Sequence, residues 1–521
     1  PTVIRKTVWL PETQDGEPIR QSWRQLVNIG YAHDGLIGSV QEQLRRAQKE
    51  IGFTYLRFHG IFDDDMHIYQ ENEDGSPWFN FAYADLLFDF IQELGLIPYV
   101  ELGFMPSKLA KTQYTVFDNP AICISMYRDS EKWQALVQAC LSHWIDKYGL
   151  ANVRKWRFTV FSMNYSRLQY TAPVMSHEDY CKMFEATYQT IKMIDPELKL
   201  GGAGCFPGIS LAPDGLRRFL LDVKEHGCPP DFITVQCYPH EDFAQDSDFF
   251  YFTSKQTSMP SVLSKDSSFT LHFLQRLDRI RQEIGFADCP VVVEEWNSTL
   301  WQRDLSGDTC YKAAWLIKNV LQNYDQAEYL GYWLLTDFLD EWLVPGGVFH
   351  GGYGLFTING IPKAGYQALR MLNRIGERKI ASDEGWFVSQ SENTIQVYLY
   401  HYCHYDALYR YRYQKLTDPH DAYKVFESDG RLKIELELCG LAPGIYRQEI
   451  WTINRSAGST FDRWIEMGAP GVMTPEDLEY LNDMAQPLCK IRDTDTVGTL
   501  RLQAELEPHE VRLIVLKKRD G

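Results

Sequence analysis

The sequence predicts a closed barrel of eight parallel strands wrapped by eight helices, followed by an antiparallel β-sandwich. Three observations carry that expectation. Between Leu26 and Gly376 short apolar runs alternate with amphipathic stretches, eight of each. Strict βα alternation means a parallel sheet, and eight units close it. Beyond about residue 380 the period changes to two, as in Thr394–Tyr400, Leu432–Leu438 and Val511–Leu516, which is the pattern of half-buried antiparallel strands. The chain of 521 residues is also the right length for one such barrel and one smaller domain. We expect the barrel over 15–379 and the sandwich over 380–521, with residues 1–14 adding the strand Val3–Leu10.

The barrel strands are expected near 26–31, 53–60, 97–104, 156–163, 198–204, 231–238, 290–297 and 329–337. The helices between them are expected over 39–51, 83–95, 130–149, 176–195, 215–227, 267–285, 308–327 and 363–376. Several of these open on Ser or Asp and close on Gly, as caps should.

Composition narrows the function. A net charge of −18 and a pI near 5.2 argue against a nucleic-acid or anionic-membrane surface. No apolar run reaches the roughly 18 residues of a membrane span, and no signal peptide is visible. Eleven cysteines lack any C-x-x-C pair or regular spacing, so a cytoplasmic chain without disulfides or structural zinc is expected. Pro1 in place of methionine suggests a chain trimmed or excised from a longer one. No H-E-x-x-H, G-x-S-x-G or dinucleotide fingerprint occurs, and Gly201-Gly-Ala-Gly204 lacks the Lys-Ser/Thr of a phosphate loop. Neither cofactor nor metal is expected.

The chemistry is expected where strands end. In parallel barrels the carboxyl ends carry the site. Val291-Val-Val-Glu-Glu-Trp-Asn297 ends the seventh strand with two carboxylates, an indole and an amide, a set that fits a sugar: one acid at the anomeric carbon, a ring to stack, an amide for a hydroxyl. A solvated acid pair capping the strand is the plainer alternative. Arg57-Phe-His59 ends the second strand with a cation and an imidazole. Glu101 on the third is expected to point into the barrel or to pair with Arg57. Trp333, Asp337, Asp340 and Glu341 end the eighth, as a platform with hydroxyl acceptors or as packing with solvated acids.

These stretches, together with Phe79–Tyr83, Val100–Ser107, Phe349–Leu355 and Trp464–Pro470, resemble family 39 of the glycoside hydrolases, the β-xylosidase and α-L-iduronidase group. The resemblance spans nearly the whole chain. It implies a retaining β-glycosidase with Glu295, directly before Trp296-Asn297, as nucleophile. Glu294 is then expected to face the other way, since neighbouring strand residues alternate. His59, Asn164, Gln236, Tyr238, Asn297, Trp333, Asp337 and Glu341 are the expected saccharide contacts. Two departures stand out. The family's Trp-Asn-Glu-Pro, whose glutamate is the acid/base, is matched by Phe161-Ser-Met-Asn164, and Met163 cannot transfer a proton. The family's His-x-Tyr reads Gln236-Cys-Tyr238. Glu178, His240, Glu241 and Asp242 are open as substitute acids.

Two readings follow: a β-xylosidase-like hydrolase with a non-standard acid, or a saccharide-sensing domain of the kind fused behind DNA-binding regions in bacterial regulators. In both, the partner is a small saccharide, with neither nucleic acid nor membrane bound by this chain, and a homo-oligomer is compatible.

Overall fold

The computed structural model describes residues 2–12, 15–113, 119–161, 175–205, 213–242, 261–339, 341, 347–412, 414–428 and 430–519. Eight parallel strands close a barrel in sequence order: β1 Leu26–Tyr31, β2 Tyr55–His59, β3 Ile97–Leu102, β4 Arg157–Val160, β5 Lys199–Cys205, β6 Phe232–Cys237, β7 Val291–Trp296 and β8 Tyr329–Tyr332. One main helix follows each: α1 Gly38–Glu50, α2 Ala82–Glu93, α3 Ser130–Tyr148, α4 His177–Ile194, α5 Pro213–Glu225, α6 Phe269–Glu283, α7 Cys310–Asn323 and α8 Ala364–Leu372. The caps are those the sequence advertises. Asp129 accepts from the backbone N–H groups of Glu131 and Lys132, Ser176 accepts from Asp179 N, and Gly149 closes α3 at φ +87°, a conformation that a Cβ would disfavour.

The barrel interior is layered. Leu26, Tyr55, Tyr99, Phe232, Val292 and Tyr329 form an apolar floor from six strands. Above it the buried side chains turn polar: Asn28, Arg57, Glu101 and Glu294. An apolar floor seals the N-terminal end, so the charges above it face only one another and the C-terminal mouth.

Apart from the short pairs Tyr69–Glu71 with Pro77–Phe79 and His240–Asp242 with Ser261–Leu263, the remaining strands form two facing sheets. Thr2–Trp9, Leu432–Cys439 and Thr499–Leu506 make a three-stranded sheet, in which Thr2–Trp9 runs parallel to Leu432–Cys439. The second sheet has seven strands, with Trp386–Ser391, Thr394–Tyr400, Val511–Lys518 and Gly444–Ile453 at its centre. The central strands read as nearly continuous apolar runs because both faces are covered. Val388, Val397, Ile514 and Leu516 pack towards the three-stranded sheet. Phe387, Tyr398, Leu513 and Val515 join the core of the barrel layer. Tyr398 also donates to Met371 O at 2.8 Å, which ties the sandwich to α8. Every described cysteine with a described side chain is a free thiol, and no described helix is long and apolar enough to cross a membrane.

Candidate active site

Glu295 sits at the end of β7 with its side chain buried among four donors. Tyr238 OH donates to Oε1 at 2.8 Å, while Arg57 Nη1 at 2.8 Å and Gln236 Nε2 at 3.0 Å donate to Oε2. His59 Nε2 lies 3.3 Å from the same Oε2. The His59 ring has its centroid 4.9 Å from that of Trp333. Of the expected contacts, the fold therefore gathers Glu295, His59, Gln236, Tyr238 and Trp333 at one end of the barrel. Asn164 and Met163 lie outside the described residues, as does Asp340.

The expectation for Glu294 fails, for a local reason. Val235 pairs with Val293, but the next residue, Gln236, pairs with Glu295, and on the other side Leu330 pairs with Val293 while Tyr332 pairs with Trp296. Glu294 is the extra residue of a bulge, which breaks the two-residue alternation. Its carboxylate turns inward: Tyr99 OH donates to it at 3.1 Å, and Arg57 Nη2 lies 3.5 Å away. Asn28 stitches the bulge, donating from Nδ2 to Glu294 O at 2.9 Å and Tyr332 O at 3.1 Å while its Oδ1 accepts from Arg57 at 3.0 Å.

Arg57 is the hub. Its guanidinium also donates to Glu101 at 2.7 Å, and Glu101 reaches His59 Nδ1 at 2.6 Å. One buried cation thus serves three carboxylates. Burial would lower the Arg57 pKa, but Glu294, Glu101 and Glu295 push it well above its ordinary value. Burial acts against His59 too, yet Glu101 and Glu295 raise it to about 10, so the ring is an imidazolium at neutral pH. For Glu295, burial would raise the pKa, but Arg57 and His59 outweigh it and hold the group near 2. Glu294 moves the opposite way, to about 7, because burial and its two acidic neighbours, Glu101 and Glu295, outweigh Arg57. Two adjacent carboxyls are thus split: Glu295 is held in its ionised form, and Glu294 is pushed towards its protonated form.

With the folded His59 pKa near 10 and the unfolded one near 6.5, the stability it contributes is complete below pH 6.5 and is lost as pH rises towards 10. The melting temperature should fall across pH 7–10, and a His59→Gln variant should show a flatter dependence.

The other expected contacts lie in different places. Glu341 accepts from Tyr31 OH at 2.9 Å and Gln302 Nε2 at 2.6 Å. Burial raises it to about 7, with His59 opposing and Glu295 adding to the rise, which puts it beside the same cluster. Asn297 is spent elsewhere. Its Nδ2 donates to Trp333 O at 2.5 Å, and its Oδ1 accepts from Ser298 N at 2.6 Å and from Lys312 Nζ. Asp337 faces Lys363 at 2.8 Å, which also holds Asp308 at 2.5 Å. These two strand-end residues tie β7 and β8 to α7 and α8. Lys312→Met leaves the Asn297 acceptor with one donor fewer and should cost about 1–3 kcal/mol in denaturant unfolding.

The substitute acids divide clearly where they are described. His240 Nε2 accepts from Leu300 N at 2.8 Å, and burial, with Arg412 nearby, lowers its pKa to about 3; it carries no proton to give at pH 7. Glu241 accepts from Ser264 Oγ at 2.6 Å. Glu178 is exposed in the first turn of α4, on the outer helical layer. The side chain of Asp242 lies outside the described residues. The sequence alone did not mark Tyr31, Tyr99, Gln302 or Lys312. Arg57 did carry a signal, as a cation within the apolar run Tyr55–Phe58.

Comparisons with known proteins bear on the family and the fold. The family model described as "Glycosyl hydrolases family 39" matches residues 6–501. A β-xylosidase of Caldicellulosiruptor saccharolyticus is 33% identical over 366 residues, 69% of this chain and 70% of its own. A β-xylosidase of Geobacillus stearothermophilus is 26% identical over 96% of this chain and 94% of its own. The crystal structure of a monomeric β-xylosidase from Caulobacter crescentus CB15 superposes with a TM-score of 0.84 at 23% identity, covering 100% of both chains. The barrel, the sandwich and the family model together place this chain in glycoside hydrolase family 39, to which it belongs.

Proposed function

We propose that the barrel mouth binds β-xylosides or related saccharides, with Glu295 as the nucleophile and no glutamate acid at the end of the fourth strand. The observation that carries the reading is the state of Glu295. It is a buried carboxylate held near pKa 2 by Arg57 and His59 and gripped on both oxygens by Tyr238, Arg57 and Gln236. Such a group is always charged and already oriented, as a nucleophile at an anomeric carbon must be. The names of the relatives support the substrate class.

In the first step Glu295 attacks the anomeric carbon and the bond to the leaving oxygen breaks. A leaving sugar needs a proton as it departs, a contribution worth roughly two to four orders of magnitude, whereas an activated phenol leaves without one. Met163 stands in the donor's place by resemblance and has no proton to give. Water entering in the second step lacks a base for the same reason. The test compares dinitrophenyl β-xyloside with xylobiose. The first should give a burst of phenolate followed by slow turnover, and the second should be almost inert. Rapid xylobiose cleavage would overturn the missing-acid part of the reading.

A second reading, a saccharide sensor, is favoured by the paired change of Met163 and Gln236 in one subsite. It predicts sugar binding by calorimetry with no burst, and binding that survives Glu295→Gln unchanged.

A further inference from the structure

Away from the barrel mouth, on the outer helical layer, α4 and α5 bring together an imidazole, a thiol and a carboxylate. His177 and Cys181 are four residues apart on α4 and so share one face. Asp222 on α5 faces them. His177 Nε2 lies 2.8 Å from Asp222 Oδ2, and Cys181 Sγ lies 3.5 Å from the same nitrogen. All three donor atoms fall within 4.8 Å of one another, the one such triple among the described residues. Cys181 is buried, while His177 and Asp222 are half-buried and reachable from solvent.

We propose that His177, Cys181 and Asp222 bind one zinc ion that staples α4 to α5. A hydrogen bond between His177 and Asp222 explains their own contact. It does not explain why a thiol is turned to the same ring nitrogen. Around one ion, ligand bonds of about 2.0–2.3 Å put donor atoms about 3.3–3.7 Å apart in a tetrahedral set. The His177–Cys181 spacing already meets this, the His177–Asp222 pair must open from 2.8 Å, and the third pair lies within 4.8 Å. The mixed N, S and O donors favour zinc over magnesium or calcium, which prefer oxygen alone. Three protein ligands leave the fourth position to water.

The surroundings balance in favour of a cation. Glu178, Glu185 and Arg218 also face the thiol. Arg218 Nε stands 3.8 Å from Asp222 with its side chain 59% exposed, so it is free to swing outward. Glu185 is paired with His226 at 2.6 Å. When zinc binds, the Sγ–H bond breaks and its proton leaves to solvent, the Nε2 proton that His177 shares with Asp222 leaves to solvent or moves to Nδ1, and the thiolate and Nε2 lone pairs form the bonds to the metal; no electron is transferred.

The test is titration of the whole, metal-stripped chain with zinc by calorimetry, and with cobalt(II) by absorption. One ion per chain is expected, with a thiolate-to-cobalt charge-transfer band. Zinc should also raise the melting temperature, because it binds the native state. Cys181→Ser and His177→Ala should each lose the band or weaken zinc by more than the roughly 10–100-fold typical of supporting groups. Metal-free melting curves of these variants show whether they are folded, and Asp222→Asn gives a third, conservative probe. Arg218→Ala should tighten zinc several-fold by removing a competing cation. Sub-stoichiometric binding by the folded wild-type chain would overturn the site. So would a Cys181→Ser variant that binds as tightly, since the ion would then sit on another thiol. The site is independent of Glu295, so sugar binding and burst kinetics stay as they are in every variant.

Discussion

Met163→Glu should raise the rate of xylobiose hydrolysis by about two to four orders of magnitude while changing dinitrophenyl β-xyloside glycosylation little. The asymmetry follows from what the new carboxyl does. Protonating the leaving oxygen matters when the conjugate base is a sugar alkoxide and hardly matters for an activated phenolate. The variant should also speed the second step for both substrates, because the same carboxylate then removes a proton from the incoming water. Three rates in one variant thus separate proton donation from nucleophilic attack: xylobiose turnover rises, the phenolate burst stays, and the slow phase after the burst shortens. A Met163→Gln control fills similar volume without an acid and should leave xylobiose inert. If Met163→Glu and Met163→Gln behave alike, either the donor position is wrong or Gln236 and Ser162 have reshaped the subsite beyond repair by one residue.

Arg57→Met should destabilise the fold by about 3–5 kcal/mol near pH 8, because three carboxylates lose their shared counter-charge in a dry interior. The guanidinium is fully buried and lies 2.7, 2.8 and 3.5 Å from Glu101, Glu295 and Glu294 respectively. Its removal leaves His59 as the one remaining cation among these contacts. The loss should shrink as pH falls towards about 7, since without Arg57 the Glu294 pKa rises further above the value of about 7 it holds beside the cation, and the variant takes up a proton that the wild type does not. The sign is that of a raised carboxyl: its protonated form is favoured in the folded state, so acid helps the variant. Arg57→Lys should lie between wild type and Arg57→Met, as a single ammonium cannot reproduce the forked geometry. A loss under about 1 kcal/mol in urea unfolding would show that the cluster is wetter than its burial implies.

Much of the barrel was legible because each βα unit announces itself locally. The Val291–Val293 run, the Ser176 and Asp129 caps and the Gly149 stop are each written within a few residues of where they act. The buried cluster was legible where a polar residue interrupts an apolar pattern, as Arg57, His59 and Glu295 do. Glu294 was misread because a bulge is a property of the pairing between β6, β7 and β8, and no single strand encodes it. Asn297 and Asp337 read as hydroxyl acceptors at strand ends. Their lysine partners, Lys312 and Lys363, come from α7 and from the start of α8, and a sequence window does not bring those together. The helices Thr460–Glu466 and Pro475–Asp483 break the two-residue period of the sandwich region for the same reason: each is a short insertion whose apolar face is completed by another element, with Phe349 and Ile361 of the barrel layer sharing their core.

We infer that Glu295, and not its neighbour, attacks the sugar. The direct test is mass spectrometry of the chain quenched during the burst with dinitrophenyl β-xyloside, with fragmentation of the labelled peptide to separate Glu294 from Glu295. One pentosyl mass per chain is expected, located on Glu295, absent from Glu295→Gln and retained in Glu294→Gln. A label on Glu294, or an unlabelled chain that still turns over the substrate, would contradict it.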